Sequence, residues 1–211
     1  MAVNAQTIVV WLRRLIALDT KVFDDVKNSP NATIPAVIVA AAATFIAGIG
    51  GWLWWIVRDY GHAGDVLFKS AVLGSLFSIA LWALWLGLVY VMLSQVFRER
   101  VYLEQLLRVM GLAATPLALM GLMFIPGLDF GIALASIGLL FGLTGIAIQS
   151  VTTADPARVL VSNLVGFTVW SCALTLLVSS SNAYAPGIFL FNAPADSVSD
   201  QGGQLGSFYN R

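Results

Sequence analysis

The sequence has few charged residues, one cysteine and one histidine. Asp, Glu, Lys and Arg together make up 10% of the 211 residues, whereas soluble domains carry about 25%, so there are too few charges to cover a water-facing surface. The single cysteine, Cys172, excludes an intrachain disulfide, and the single histidine, His62, excludes a histidine-rich metal site. Eleven basic residues balance eleven acidic ones, so no net positive field attracts nucleic acid.

Recognisable catalytic features are also missing from the sequence. No nucleophile has a nearby base, no phosphate-binding loop occurs, and no ionisable residue falls in the middle of a long apolar segment. Ion and proton pathways usually need such a residue within the membrane. We therefore expect a protein that is not an enzyme and that holds no metal or cofactor, while a path for a neutral solute remains open.

Long apolar segments dominate the chain instead. Hydrophobic residues make up 59% of it, and a helix that spans a membrane needs about 20 apolar residues. Uncharged segments of this kind occupy residues 34–57, 70–97, 109–125, 130–149 and 159–179. The sequence predicts an all-α membrane bundle with five transmembrane helices.

The predicted bundle is flanked by two polar segments. Residues 1–33 carry mixed charge before the first span, which argues against a cleaved signal peptide. The membrane domain occupies residues 34–179, and a polar tail follows at 180–211. An apolar run interrupts this tail, and we expect it to dock on a partner or enter the membrane interface; it consists of Ile188, Phe189, Leu190 and Phe191.

Lys and Arg are unequally distributed between the two sides of the predicted spans. Eight lie in the N-terminal segment and in the loops after the second and fourth spans, and three lie on the other side. Because positive residues are enriched in cytoplasmic loops, we expect a cell-membrane protein with a cytoplasmic N-terminus and an extracytoplasmic C-terminus. The glycosylation motif at Asn31 would then lie in the cytoplasm, where it is not used.

The N-terminal segment has the pattern of an amphipathic helix. Ile8, Leu12 and Leu15 recur at helical spacing, and Arg13 and Arg14 occupy other positions. Such a helix lies at the membrane surface or packs on the cytoplasmic ends of the spans, and both arrangements can hold together.

Small residues form stripes on two of the predicted spans. Ala40, Thr44 and Gly48 recur every four residues on the first span, and Gly138 and Gly142 form a GxxxG pair on the fourth. Small residues let membrane helices approach closely. We expect helix-packing contacts at these positions, either inside the bundle or in a homo-oligomer or partner complex.

Local motifs predict features of the third and fifth spans. Pro116 interrupts the third span and predicts a kink, which is either plain architecture or a gating hinge. Pro126-Gly127 predicts a tight turn between the third and fourth spans. Asp155-Pro156 predicts the start of the last helix, with Asp155 as its cap.

Tryptophans cluster at the outer end of the first span. Trp52, Trp54 and Trp55 predict an aromatic anchor in the headgroup zone, and a pigment or quinone site is the alternative. His62 follows in the next loop, where we expect a solvated residue rather than a metal or chlorophyll ligand. Cys172, inside the last span, fits a small packing residue.

One stretch of the sequence resembles a known family. The motif Arg108-x-x-Gly111-x-Ala113-x-x-Pro116 is similar to the Arg-x-x-Gly-x-Ala-x-x-Pro pattern of the Yip1-domain family, and the likeness extends over residues 12–179. The resemblance implies a five-helix bundle with a cytosolic N-terminus. Eukaryotic relatives act in vesicle traffic and bind small GTPases, a role that we do not transfer because the N-terminal segment here is short.

Three classes of function are compatible with the sequence. The first is a non-catalytic scaffold or organiser that acts through helix packing and interfacial contacts. The second is an accessory subunit of a larger membrane assembly, for example a bioenergetic complex. The third is a small transporter or channel for a neutral or lipophilic solute. The expected partners are membrane lipids and other membrane subunits.

Overall fold

The computed structural model describes residues 5–59 and 63–181, and every regular element in this part of the chain is helical. Five segments are long and apolar enough to cross a membrane: Pro30–Val57, Phe68–Val96, Leu103–Leu122, Asp129–Ser150 and Pro156–Leu174. The protein is therefore a multi-pass helical membrane bundle, as its hydropathy predicts. His62 and the apolar run at residues 188–191 lie outside the described residues.

The helices follow one another with short connections. In chain order they are α1 (Ala5–Ile16), α2 (Val22–Lys27), α3 (Thr33–Val57), α4 (Ala63–Leu67), α5 (Ser75–Val91), α6 (Leu103–Ala113), α7 (Asp129–Ser150) and α8 (Pro156–Ser181). The second span also contains π-helical turns at Phe68–Gly74 and Met92–Val96, and 3-10 helices occupy Pro30–Ala32 and Thr115–Leu122.

Helix α3 packs on several other helices of the described bundle. Its small residues let their backbones approach closely. It packs on α5, on α6 and on the 3-10 helix that follows α6. A Cβ added to Gly48 would lie 2.6 Å from the Ser70 carbonyl oxygen, and one added to Gly50 would lie 2.0 Å from that of Met120. The stripe predicted on this span is buried in these internal contacts at each position: Ala40, Thr44 and Gly48.

The third span begins earlier than the sequence predicts, at Leu103 rather than at residue 109. The prediction stopped at Arg108 because of its charge, but the structure buries this side chain and pairs its donors within the protein. The α-helix ends at Ala113, and a 3-10 helix that contains Pro116 begins at Thr115. The Leu112 carbonyl accepts a 2.6 Å bond from the Thr115 hydroxyl. With the longer rise of a 3-10 helix, the span reaches about 32 Å, which covers a hydrocarbon core of about 30 Å.

The predicted hairpin between the third and fourth spans is confirmed. Gly127 has a φ of +81°, a left-handed conformation that glycine adopts without steric cost. The two arms pack on each other, and the Ser136 hydroxyl donates a 2.6 Å bond to the Pro116 carbonyl. The predicted cap of the last helix is also present, since the Ala157 N–H donates to the Asp155 carboxylate at 2.9 Å.

Aromatic side chains fill the space between α5 and α8. The ring of Trp85 lies 5.5 Å from that of Phe167 and 5.9 Å from that of Trp170. A Cβ at Gly166 would lie 2.0 Å from Trp85 Cδ1, so glycine at this position admits the indole ring. The tryptophans within the spans, Trp82, Trp85 and Trp170, are buried against neighbouring helices rather than exposed to lipid.

Candidate functional site

Helices α1 and α2 pack on one end of the bundle, which we call the N-terminal face. Val22, Phe23 and Val26 of α2 are at most 1% exposed. They belong to one apolar cluster with Val109 and Leu112 of α6. The buried residues lie on one side of α2 and the charged residues on the other, so the apolar side of α2 packs on the apolar side of α6. The predicted packing on the ends of the spans is confirmed.

Arg108 joins three parts of the N-terminal face. Its Nε donates to the Thr33 hydroxyl at 2.8 Å, and its Nη atoms donate to the Lys27 carbonyl and to the Glu104 carboxylate, both at 3.0 Å. The side chain is 8% exposed, and a buried guanidinium needs acceptors for its donors. These bonds hold the end of α2 and the start of α3 against α6. The Glu104–Arg108 spacing in the sequence favours this pair.

Gly111 and Pro116 extend the same arrangement along the third span. A Cβ at Gly111 would lie 2.7 Å from the Ala36 carbonyl oxygen, so the backbones of α3 and α6 touch here. The Pro116 carbonyl bonds to Ser136 of α7. The motif that carries the family resemblance therefore makes contacts between helices in this structure.

Two further basic side chains, Lys27 and Arg158, tie the remaining helix ends to this face. Lys27 Nζ donates to the Ser150 carbonyl at the end of α7, at 2.7 Å, and pairs with Asp24 at 2.6 Å. Arg158 at the start of α8 pairs with Glu99 at 2.7 Å. Lys27, beside the C-terminal carbonyl of Ser150, also complements the dipole of α7.

Arg14 fixes the connection between α1 and α2. Its guanidinium pairs with Asp19 at 2.8 Å and also with Asp25. The Arg14 hydrogen bond is the main reason that the pKa of Asp19 lies below its ordinary value, and the Lys21 backbone N–H adds to the effect.

The outer side of α1 remains apolar and exposed. Ile16 is 78% exposed and Val10 52%, and Leu18, which follows the helix, is 71% exposed. Arg13 is exposed beside them. An apolar surface next to basic residues suits the headgroup boundary of a membrane. The position of α1 at the membrane surface stays a prediction. The exposed residues Ile16 and Val10 are the ones that would contact the membrane.

A groove and a cleft adjoin each other between α7, α8 and the N-terminal face. The groove has a volume of about 260 Å³ and apolar walls. Its lining includes Phe141, Gly142, Gly145, Ile146, Val159 and Leu160. The cleft, of about 300 Å³, shares Ile146 and Gln149 with the groove and is also lined by Thr20, Lys21, Asp24 and Ser150.

On the opposite face, Asp129 joins the ends of α3 and α7. Its carboxylate accepts a 2.9 Å bond from Trp54 Nε1 and a 2.8 Å bond from Arg58. Arg58 also lies over the Trp54 ring, 5.7 Å from its centroid. This cluster could not be predicted from the sequence because Asp129 is separated from Trp54 by 75 positions, although a charge next to a predicted turn was a visible signal.

The prediction of an aromatic anchor is wrong for Trp54 and Trp55. Each is 5% exposed, and Trp52 packs against them as a partly buried side chain. The Trp54 indole N–H bonds to Asp129 within the protein, and both rings pack in one apolar cluster with Val66.

Gly138, Gly142 and Cys172 lie on the outside of the bundle. A Cβ at either glycine would meet no atom within 4 Å, so the pair makes no internal helix contact, and docking on a partner stays a prediction. Cys172 is exposed on α8, so it is not the internal packing residue that the sequence suggested. Among the described residues, no group of three His, Cys, Asp or Glu side chains is placed to hold a metal.

Comparisons with known proteins find no matching family model, no similar curated protein and no similar solved structure. The resemblance to the Yip1-domain family therefore stays a hypothesis based on the sequence motif.

Proposed function

We propose that the protein is a non-catalytic scaffold of the cell membrane, and that the N-terminal face is the surface on which its partners dock. The observation that carries this proposal is the set of three hydrogen bonds made by buried Arg108. They hold α2 and α3 in place without a partner, and a preformed surface loses less conformational entropy when it binds.

The charges of the N-terminal face support a cytoplasmic location for it. Arg13, Lys21, Arg98 and Arg100 are exposed there or in the adjoining loop, and basic residues favour the cytoplasmic side. Membership of the Yip1-domain family is part of the proposal and rests on the motif from Arg108 to Pro116.

Packing in the interior favours a scaffold over a solute path. Trp85, Met120, Leu140 and Trp170 are at most 1% exposed, so large side chains occupy the middle of the described bundle. A solute would have to displace them, and filled cores resist such changes.

An accessory subunit of a larger complex is the second candidate. Gly131, Ala135, Gly138 and Gly142 are exposed along one side of α7. Exposed small residues at this spacing favour close contact with another membrane helix. This surface is separate from the outer side of α1, so the two candidates predict contacts at different places.

Site-specific photocrosslinking in native membranes tests the scaffold against the accessory subunit. A photoreactive residue replaces either Ile16 on α1, which is 78% exposed, or Leu134 on α7, which is 61% exposed. The scaffold predicts protein adducts mainly at position 16. Adducts confined to position 134 would instead favour the accessory subunit.

Flux measurements test the third function class. We expect proteoliposomes that contain only this protein to release a neutral solute, such as glycerol, at the rate of empty liposomes. Faster release that depends on the amount of protein would contradict the scaffold and favour a transporter.

A further inference from the structure

We infer that the groove between α7 and α8, together with the cleft beside it, binds one anionic glycerophospholipid. An acyl chain lies in the groove, and the phosphate lies in the cleft near Lys21. This inference concerns a bound lipid and does not require the scaffold function.

The length of the groove matches one leaflet. Its lining on α7 extends from Phe141 to Gln149, which is about 12 Å at 1.5 Å per residue. Half of a hydrocarbon core of about 30 Å is about 15 Å. A chain that starts at the helix end near Gln149 therefore reaches towards the middle of the bilayer within the groove.

The chemistry of the groove suits a saturated or unsaturated hydrocarbon chain. Gly142 and Gly145 leave space where other residues would carry side chains, and Ile146 and Leu160 are 45% and 54% exposed on the rims. The groove thus opens on the outside of the bundle, where lipid is the solvent. The main polar side chain at its floor is Asn163, whose Nδ2 donates to the Phe141 carbonyl at 3.0 Å.

The adjoining cleft has the polar residues that would contact the headgroup of the lipid. Thr20, Lys21 and Gln149 line it together with Asp24. The Asp24 carboxylate already pairs with Lys27 at 2.6 Å. Within residues 5–59 and 63–181, none of the ion pairs involves the Lys21 ammonium group.

This charge distribution selects an anionic headgroup. Lys21 and Asp24 are the charged residues that line the cleft, and Asp24 is paired with Lys27. The Lys21 ammonium is therefore the charged donor that a headgroup would meet there, and phosphate oxygens are strong acceptors for such a donor. A neutral, apolar occupant would fill the groove but leave the cleft unused. A second copy of the chain, packed through the glycines of α7, is the competing occupant, and the test distinguishes it.

Native mass spectrometry of the purified full-length protein tests the inference. Phosphatidylglycerol or phosphatidylcholine with identical acyl chains is titrated into delipidated protein in detergent. We expect one phosphatidylglycerol to bind at least fivefold more tightly than phosphatidylcholine. Equal affinity for the two lipids would overturn the choice of an anionic headgroup.

Two glycine variants test the groove. Gly142→Leu fills it, and Gly138→Leu is the matched control, since both glycines are exposed on α7 and have open space around Cβ, but only Gly142 lines the groove. We expect Gly142→Leu to weaken binding of both lipids about tenfold and Gly138→Leu to change it less than twofold. Equal effects of both variants, or a dimer that either variant dissociates, would overturn the lipid site.

A charge variant tests the cleft without altering the packed bundle. We expect Lys21→Gln to remove the preference for phosphatidylglycerol while affinity for phosphatidylcholine stays within twofold. Arg13→Gln removes another exposed charge outside the cleft and should keep the preference. If both variants lose it equally, general surface charge explains the binding and the site is refuted.

Discussion

The indole N–H of Trp54 donates a 2.9 Å hydrogen bond to the carboxylate of Asp129, so the end of α3 is joined to the start of α7. Arg58 shares the same carboxylate at 2.8 Å. This contact lies at the end of the bundle opposite to the Arg108 hydrogen bonds. The two sets of polar contacts thus hold α3 at both of its ends.

Replacement of Asp129 by Ala should destabilise the bundle by about 1.5–3 kcal/mol, the range for hydrogen bonds to charged groups. Asp129→Asn keeps an acceptor for Trp54 but loses the charge that pairs with Arg58, so this variant should be destabilised less than Asp129→Ala. The measurement is the free energy of unfolding in detergent micelles. Asp59→Asn, at an exposed site, is the control and should change it by less than about 0.5 kcal/mol. An Asp129→Ala protein as stable as the parent would contradict the role assigned to this carboxylate.

Gly111→Ala should destabilise the protein by about 1–3 kcal/mol because the added methyl overpacks a filled interface. Its Cβ would lie 2.7 Å from the Ala36 carbonyl oxygen. Gly87→Ala is the matched control, since a Cβ there meets no atom within 4 Å. Alanine is the better helix former by about 1 kcal/mol, so the control should be neutral or stabilising. Thermal unfolding of both variants in the same detergent measures the difference, and similar melting temperatures would count against a close contact of α3 with α6.

Arg108→Met should release α2 from the bundle while the apolar stem of the side chain is largely kept. The loss of hydrogen bonds to Thr33 and Lys27 should cost about 1–3 kcal/mol, and amide hydrogens of α2 should then exchange about tenfold faster or more. Hydrogen exchange followed by mass spectrometry measures this rate. Arg100→Met, at an exposed position, should leave the exchange unchanged. Unchanged protection of α2 in Arg108→Met would show that apolar packing alone positions the helix.

Acidification should loosen the connection between α1 and α2. The pKa of Asp19 is lowered mainly by the Arg14 hydrogen bond, so the pair stabilises the fold above the unfolded pKa of about 3.9. That contribution is lost as pH falls through the lower pKa of the folded state. We expect the pair to be intact at pH 6 and lost well below pH 4.

A spin label at exposed Ala17 reports this change, in a background where Cys172→Ser removes the native thiol. Its mobility should rise as the pH falls below about 4. In an Asp19→Asn variant the label should already be mobile at pH 6 and respond little to acid. A label that stays immobile to pH 2 would contradict the role of the pair.

Features set by short stretches of sequence could be predicted. The spans follow from uncharged apolar runs because the bilayer tolerates few alternatives. The turn at Gly127 and the cap at Asp155 depend on neighbouring residues only. The early start of the third span was missed because a local rule counts the charge of Arg108 without knowing that Thr33 and Lys27 accept its hydrogen bonds.

Contacts between distant residues were beyond a local reading of the sequence. The small residues Gly48 and Gly138 look alike in sequence, yet Gly48 touches the backbone of Ser70 and Gly138 faces outward. Which side of a helix is buried depends on where the other helices lie. For the same reason, the tryptophans near Arg58 resembled an interfacial anchor until the position of Asp129 was known.

The central position of α3 has a consequence for biosynthesis. Trp54 leaves the ribosome 75 positions before Asp129, an interval of about 4–15 s at usual elongation rates. During this time neither Trp54 nor Arg58 can make its bond to Asp129, because that residue has not yet been synthesised. The nascent chain can therefore close this end of the bundle only after the ribosome has reached Asp129, at the start of the fourth span.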